Sequence, residues 1–221
     1  MDTYGPLLLA YAIGCISFAA IAGRIKGVDV RAHGSGNPGA TNVGRLLGPA
    51  WGRAVLVLDI LKGLLPVALL ALPPSALDSG GRGPVALAVV LGHCWPVAAG
   101  FHGGKGVATF IGAMLALDWR AAVVVIGLHV LVKRLTGYVS VASVASAWLF
   151  PAVLAVGRLA GFRLALPASV TDPRAAWSDG LLWLALLATV VTLRHAPNFV
   201  RIRAGTEHRA GQRVPLERQP K

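Results

Sequence analysis

Three segments of this chain set glycine-rich backbone beside side chains that bind anions. They are Gly34-Ser35-Gly36-Asn37-Pro38-Gly39-Ala40-Thr41-Asn42-Val43-Gly44-Arg45, then Gly92-His93-Cys94-Trp95-Pro96 running on to Gly103-Gly104-Lys105-Gly106, and Arg194-His195-Ala196-Pro197-Asn198. In the first, Gly34, Gly36 and Gly39 permit tight turns and Pro38 fixes one of them. Ser35, Asn37, Thr41 and Asn42 offer neutral hydrogen bonds, and Arg45 offers a planar fork suited to bidentate phosphate binding. A structured loop and an anion site both accommodate this segment taken alone.

In the second segment, Gly103-Gly104-Lys105-Gly106 precedes the apolar run Val107-Ala108-Thr109-Phe110-Ile111 and so opens a helix. Free N–H groups at that helix start, its dipole and Lys105 would together attract a phosphate. The tetrapeptide lacks the Walker A spacing and the Ser or Thr that follows it, so ATP is not implied. In the third, His195 stands beside Asn198 and several arginines, as a general acid or base or as a phosphate donor. Glu207, the acid nearest this stretch, is suited to orienting the neighbouring arginines.

The elements that must position these residues are hydrophobic. The chain has 221 residues, of which 55% are hydrophobic and 14% charged, with mean hydropathy +0.66. These values indicate a membrane protein. Apolar stretches able to cross the ~30 Å hydrocarbon layer run roughly over 4–23, 51–72, 84–101, 138–157 and 178–193, with shorter pieces at 107–117 and 120–132. The expectation is an all-α integral membrane protein of about seven transmembrane helices, with N-terminus outside and C-terminus cytoplasmic. Met1-Asp2-Thr3 carries no basic residue, so the first span is expected to remain in the mature protein.

Positive charge supports that orientation. The inner segments hold Arg24, Lys26, Arg31, Arg45, Lys105, Lys133, Arg134, Arg194, Arg201, Arg203, Arg209, Arg213, Arg218 and Lys221, whereas the outer ones hold Arg82, Arg120, Arg158, Arg163 and Arg174. A re-entrant hairpin at 107–132 would preserve this parity; a single fused helix there would put the basic tail outside and is disfavoured. Residues 1–208 read as one membrane domain and 209–221 as a basic cytoplasmic tail without fixed structure. The stretches 73–84 and 158–177 read as outward connectors. The remaining polar segments 24–50, 102–106, 133–140 and 194–209 then share the cytoplasmic side, where residues distant in sequence can converge.

Asp59 and Lys62 lie one helical turn apart in the second span, each costly alone in hydrocarbon and partly neutralised as a pair. They serve as structural glue or as the wall of a polar cavity. His93, inside the third span, reads as a hydrogen-bonded interior histidine. The net charge of +12 fits positive-inside anchoring against anionic lipid, and no basic, aromatic-interleaved stretch points to nucleic acid. Cys15 and Cys94 are too few for a disulfide framework or a metal site. Gly-x-Ser-x-Gly, HxxxxD, HExxH and clustered carboxylates are all missing, so neither hydrolase chemistry nor a metal has sequence support.

Taken in order, GSGNPGATNVGR, DILKG at 59–63, GHCWPVAAGFHGGKGVAT at 92–109 and RHAPNFVRIRAGTE at 194–207 resemble the bacterial acyl-phosphate:glycerol-3-phosphate acyltransferases, the PlsY family. The likeness covers nearly the whole chain. It implies a seven-helix enzyme of the bacterial inner membrane, with a cytoplasmic site. The reaction would move a fatty acyl group from acyl phosphate to the 1-hydroxyl of sn-glycerol 3-phosphate, giving lysophosphatidic acid and inorganic phosphate. The resemblance marks Ser35, Arg45, Lys105, His195 and Asn198 as catalytic, and Gly36, Asn37, Gly39, Thr41, Asn42, Gly103, Gly104, Gly106 and Ser143 as substrate-binding. Asp59, Lys62, His93, Ser140 and Glu207 are supporting. One departure is His102, where the family commonly has Lys before GGKG.

Acyl phosphate is already activated, so such an enzyme needs to hold two phosphates, aim a hydroxyl at a carbonyl carbon and stabilise the oxyanion. No cofactor and no metal are expected. The family pattern suggests substrate-assisted proton transfer to phosphate, with His195 as general base the alternative. Expected partners are the two substrates and the lipid bilayer, with functional coupling to an acyl-phosphate-producing enzyme, in a monomer. A transporter for an organic phosphate would use the same groove but lacks the paired inverted repeat. A membrane scaffold leaves Asn42, Arg45 and Asn198 without purpose.

Overall fold

In a computed structural model, residues 4–70, 82–160 and 173–212 are described. Residues 73–81 and 161–172 of the two expected connectors, and 213–221 of the expected tail, lie outside the described residues. The described elements are helical, with no strand among them: α1 (Gly5–Gly14), α2 (Phe18–Ile25), α3 (Ala40–Leu47), α4 (Pro49–Leu69), α5 (Arg82–Cys94), α6 (Val107–Leu117), α7 (Trp119–Thr136), α8 (Val139–Leu159), α9 (Pro173–Arg194) and α10 (Ala196–Arg203).

The first apolar stretch, expected as one span over 4–23, is broken at Cys15–Ser17. Ser17 takes an extended conformation and caps α2, its Oγ accepting the N–H of Ala20 at 3.2 Å. The third stretch, expected to reach 101, stops as a helix at Cys94. Pro96 lacks the N–H that a continuing helix needs and disfavours helical geometry at Trp95. Gly100 and Phe101 then turn the chain through left-handed conformations, φ +59° and +63°.

The fused reading of 107–132 is excluded by Asp118. Its extended backbone separates α6 from α7, and its Oδ1 accepts the N–H groups of Arg120 and Ala121, both at 2.9 Å. With 11 residues, α6 is ~16 Å long at 1.5 Å per residue, about half the hydrocarbon thickness.

Close helix pairs are built on glycine. A Cβ on Gly63 or Gly112 would strike the backbone of Thr109 or Ile60, so α4 and α6 meet at backbone distance; Gly14 and Gly92 do the same for α1 and α5. Around these contacts lies a core of Val67, Val85, Val89, Phe110, Met114, Phe150, Leu187 and Val191, with Phe110 and Phe150 edge to face at 6.2 Å. Polar residues sit inside as well: Asp59, Lys62 and His93 are all buried. By contrast, Leu8, Leu65, Val124, Leu135, Val156 and Leu159 are exposed on the outside. Apolar outside and ionisable inside is the distribution a hydrocarbon solvent selects. The helical segments Gly5–Ile25 and Val139–Gly157 each have the length and hydropathy to cross a membrane.

Candidate functional site

The first glycine-rich segment is half loop and half helix. Residues 40–47 form α3, which the sequence reading treated as loop because Gly44 weakens helix propensity. Tertiary packing decides otherwise: Gly44 lies against Gly52 of α4, while Val43 and Leu46 are buried with Ala19, Ala22, Val30 and Val55. Asn42 in α3 donates through Nδ2 to the carbonyls of Val30 (2.8 Å) and His33 (3.1 Å), and its Oδ1 accepts the N–H of Ser35 (3.0 Å). At 1% exposure, Asn42 has spent its amide on the loop, which corrects the substrate-binding role expected of it. Gly34, at φ +62°, leaves room for that amide, since a Cβ there would meet Asn42. Ser35, Gly36, Asn37 and Gly39 are half-buried along the loop that Asn42 holds, and Thr41 is exposed at the start of α3.

Across the same end of the bundle, Lys105 Nζ donates to Asn198 Oδ1. Asn198 Nδ2 donates to Glu207 Oε1 at 2.6 Å, and Arg201 Nε donates to Glu207 Oε2 at 2.7 Å. Arg45 reaches the same neighbourhood, its Nη2 lying 3.5 Å from the carbonyl of His208, while its buried Nε has no hydrogen-bond partner. Lys105, Asn198, Glu207 and Arg45 are thus drawn together from α3, the glycine loop, α10 and the segment after it. Proximity in sequence supplies none of these links except those within 198–207.

The glycine loop is clamped from both sides. The N–H groups of Gly103 and Gly104 donate to the carbonyls of Cys94 and His93, at 3.2 and 3.1 Å. Their own carbonyls accept from Arg194 Nη2 (2.8 Å) and Nε (3.0 Å), and Arg194 also stacks 5.3 Å from the ring centre of Trp95. The expectation that the N–H groups of Gly103 and Gly104 bind substrate is therefore corrected: both are committed to the end of α5. A Cβ on Gly104 would fall on the imidazole of His93, so glycine here serves close approach. Gly106, at φ +79°, starts α6 with no side-chain cap, and the N–H groups of the first turn of α6, with Lys105, make its open end. His102 folds back, Nδ1 toward the carbonyl of Gly100.

The supporting charges form an interior cluster behind the glycine loop, with Lys62 and His93 lining the same small cavity as Gly103 and Gly104. Lys62 Nζ lies 2.9 Å from Asp59 Oδ1, donates to the carbonyl of Ile16 at 2.7 Å and sits 5.6 Å from the ring centre of Phe18. That carbonyl is freed by the break between α1 and α2. His93 Nδ1 is 3.8 Å from Asp59 and 3.3 Å from Thr109 Oγ1. In α8, Ser143 Oγ donates to the carbonyl of Val139 at 2.8 Å, so its proton is directed into the helix, whereas buried Ser140 Oγ has no partner. Sequence reasoning gave Arg194 and Arg201 no role of their own; both flank His195 and Asn198, which was the available signal.

Residues 5–205 match the glycerol-3-phosphate acyltransferase family. The chain belongs to that family. It is 38% identical over 218 residues, 98% of this chain and 93% of the relative, to a glycerol-3-phosphate acyltransferase of Pectobacterium carotovorum subsp. carotovorum (strain PC1). It is 46% identical over 151 residues, 66% of this chain and 71% of the relative, to that of Salmonella arizonae. Among solved structures it is similar to PlsY (YgiH), described as an integral membrane glycerol 3-phosphate acyltransferase. Against the glycerol 3-phosphate form the TM-score is 0.79 at 34% identity, covering 95% of this chain and 96% of that one. Against the lysophosphatidic acid form the TM-score is 0.77 at 33% identity, covering 95% of each. This chain is accordingly a bacterial integral membrane acyltransferase with an all-helical fold.

The electrostatics of the candidate site are those of a cation cluster with one carboxylate. Burial lowers the Lys105 ammonium to about 8; Glu207 opposes this, and Arg201, Arg45 and Arg194 push further in the same direction. Burial also lowers His195 to about 4, against the hydrogen bond to Val191 and with Lys105 and Arg194 adding to the shift. Burial works to raise Glu207, but hydrogen bonds from Asn198 and Arg201 and the surrounding cations outweigh it and hold the carboxyl below its usual value. His195 Nδ1 is 2.7 Å from the carbonyl of Val191, which can only accept, so Nδ1 carries the proton. In the neutral ring Nε2 is then an acceptor, whereas the phosphate-donor role expected among the alternatives requires the protonated ring.

Proposed function

We propose that this acyltransferase takes its acyl group from an acyl phosphate and delivers it to the 1-hydroxyl of sn-glycerol 3-phosphate, releasing lysophosphatidic acid and inorganic phosphate. Glycerol 3-phosphate and lysophosphatidic acid are the ligands of the similar PlsY structures. The observation that carries the reading is the juxtaposition of Arg45, Lys105 and Asn198 around a single carboxylate, with Arg45 Nε lacking a partner. Such a cluster suits dianionic groups and has no nucleophile of its own.

The hydroxyl oxygen attacks the acyl carbon, and the bond from that carbon to the phosphate oxygen breaks. The proton leaves the hydroxyl for the departing phosphate, which becomes strongly basic as the bond opens. Arg45 and Lys105 bind the two phosphates and, with the open N–H groups at the start of α6, stabilise the developing negative charge. Asn198, fixed by Glu207, holds the Lys105 ammonium in place. His195, neutral at pH 7, presents Nε2 as an acceptor beside the glycerol and orients it, leaving the proton of the attacking hydroxyl free to pass to the phosphate; with its conjugate acid near 4 it is a weak base. Ser35, with Gly36, Asn37, Gly39 and Thr41, lines the first phosphate loop, and Ser143 an adjacent wall.

The same reading places the enzyme in the bacterial inner membrane as a monomer crossing about seven times, with N-terminus outside and the site facing the cytoplasm. Support comes from the concentration of Lys and Arg on the four polar segments, from the hydrogen bonds that join 24–50, 102–106 and 194–209, and from the contact of Arg209 with Tyr138 in 133–140. Residues 1–208 act as one domain, and the donor would be delivered by a cytoplasmic enzyme that makes acyl phosphates. Donor competition tests the reading. Detergent-purified protein given palmitoyl phosphate, palmitoyl-CoA and glycerol 3-phosphate should consume only the phosphate; use of the thioester alone would overturn the donor assignment. Turnover without a sealed membrane also separates the enzyme from a transporter.

A further inference from the structure

The four residues Glu207–Ala210, expected to straddle the end of the domain and the start of a loose tail, are tied to three different parts of the fold. Glu207 holds Asn198 and Arg201 of α10. The His208 carbonyl faces Arg45 of α3, across 163 positions of sequence. The Arg209 guanidinium lies over the ring of Tyr138, 5.5 Å from its centre, and the Ala210 N–H donates to the carbonyl of Gly137 at 2.8 Å. Gly205, at φ +71°, turns the chain back after α10 so that this segment can run across the end of the bundle to the turn between α7 and α8.

The two halves of this strap differ in what they do. Glu207 and His208 touch the groups of the phosphate site in the reading above, while the Arg209 side chain and the Ala210 N–H meet the α7–α8 turn. The anchor is built to fit: Gly137, at φ +76°, caps α7, and a Cβ there would stand 3.3 Å from Arg209 Nη1. Arg209 is itself fixed by its N–H, which donates to Gln212 Oε1 at 3.1 Å. Residues 203–206 and 209–212 are exposed, so the strap forms the water-facing side of the site.

We propose that Arg209, stacked on Tyr138, is a positioning residue for glycerol 3-phosphate: by pinning the far end of the strap it sets where the His208 carbonyl meets Arg45. The inference rests on the proposed function, with Arg45 serving the phosphate of glycerol 3-phosphate and Lys105 that of the donor; Glu207 stays tied to α10 through both Asn198 and Arg201. The soluble acceptor must enter from water, past the strap, whereas the acyl chain of the donor arrives through lipid. Release of the strap therefore acts on one substrate.

The test is a KM-against-kcat comparison in detergent-purified protein. For Arg209→Ala, KM for glycerol 3-phosphate should rise by about threefold to fivefold, the scale of an exposed cation–π contact, with kcat and the KM for palmitoyl phosphate changed less than twofold. Tyr138→Ala should give the same split, and the double variant should add little to either single one. Arg209→Lys, which keeps a cation over the ring, and Tyr138→Phe, which keeps the ring, should return toward the wild-type KM. Unchanged kinetics in Arg209→Ala, or equal losses for both substrates with a lowered melting temperature, would overturn the proposal. Absence of turnover in the wild type would count against the acyltransferase reading instead; calorimetric binding of glycerol 3-phosphate, weakened by the same factor in Arg209→Ala, tests the strap without turnover.

Discussion

Lys105 Nζ and Asn198 Oδ1 are hydrogen-bonded at 2.5 Å although 93 positions separate them in the chain. This contact joins the glycine loop before α6 to α10, and through Glu207 it joins both to Arg201. An ammonium held by a neutral amide keeps its charge available to a ligand, whereas direct pairing with the carboxylate would neutralise it.

Lys105→Ala should therefore lower kcat/KM by about 10²–10³, the range for loss of one preorganised electrostatic contact, with little change in melting temperature. Lys105→Arg keeps the charge and should retain more activity. Steady-state kinetics on detergent-purified variants measure both.

The pH profile follows from two groups. Lys105 is charged below about 8, so the free-enzyme profile of kcat/KM should fall as pH rises through that value. Bound phosphate favours the ammonium, so the limb in kcat should lie at higher pH. His195 stays neutral above about 4, so an acid limb near 6 would belong to the second ionisation of the substrate phosphate. That limb should persist in His195→Asn; its disappearance would make His195 the base.

Asn42→Ala removes three ties from the first loop and leaves the Val30 and His33 carbonyls and the Ser35 N–H without them. The expected cost is about 1–3 kcal/mol, seen as a lower melting temperature, with activity falling because the Arg45-bearing helix loses its loop.

Two glycines give opposite results on substitution. Gly104→Ala puts a methyl group onto His93 and should abolish activity, since the clamped loop must move. Gly127 in α7 has open space around its Cβ position, so Gly127→Ala should be active and up to about 1 kcal/mol more stable.

The interior pair predicts a non-additive series. Lys62→Met leaves Asp59 uncompensated and strips the Ile16 carbonyl of its donor, at a cost of about 3–5 kcal/mol for a broken buried pair. Adding Asp59→Leu should recover part of that loss in thermal unfolding, leaving the carbonyl as the residual defect.

Much of this was legible in the sequence because hydrophobic length is a strong signal in membranes, because Arg, Lys and His are expensive there and because irregular backbone cannot face lipid. Convergence of the four polar segments was expected from span parity; hydrogen bonds from Lys105, Arg45 and Arg194 join three of them, and Arg209 over Tyr138 reaches the fourth. Local breaks were hidden. Cys15–Ser17 interrupts an unbroken apolar run because Ser17 caps a new helix and Lys62 takes the freed carbonyl, both tertiary choices. Helix α3 was hidden for the converse reason, its Gly44 serving contact with Gly52 instead of flexibility. Asn42, Gly103 and Gly104 looked like ligand groups by type; only geometry shows their hydrogen bonds already spent on backbone. The anchor at Tyr138 had no sequence signal, since an aromatic and an arginine 71 positions apart are unremarkable in any basic chain.

The most direct test of the central claim is phosphate release from palmitoyl phosphate by the detergent-purified protein, measured with and without glycerol 3-phosphate and in Arg45→Ala. The expected result is release that requires the acceptor, matches lysophosphatidic acid formation mole for mole and is lost in Arg45→Ala. Release independent of glycerol 3-phosphate, or undiminished in Arg45→Ala, would contradict a site in which Arg45 and Lys105 bring the two phosphates together.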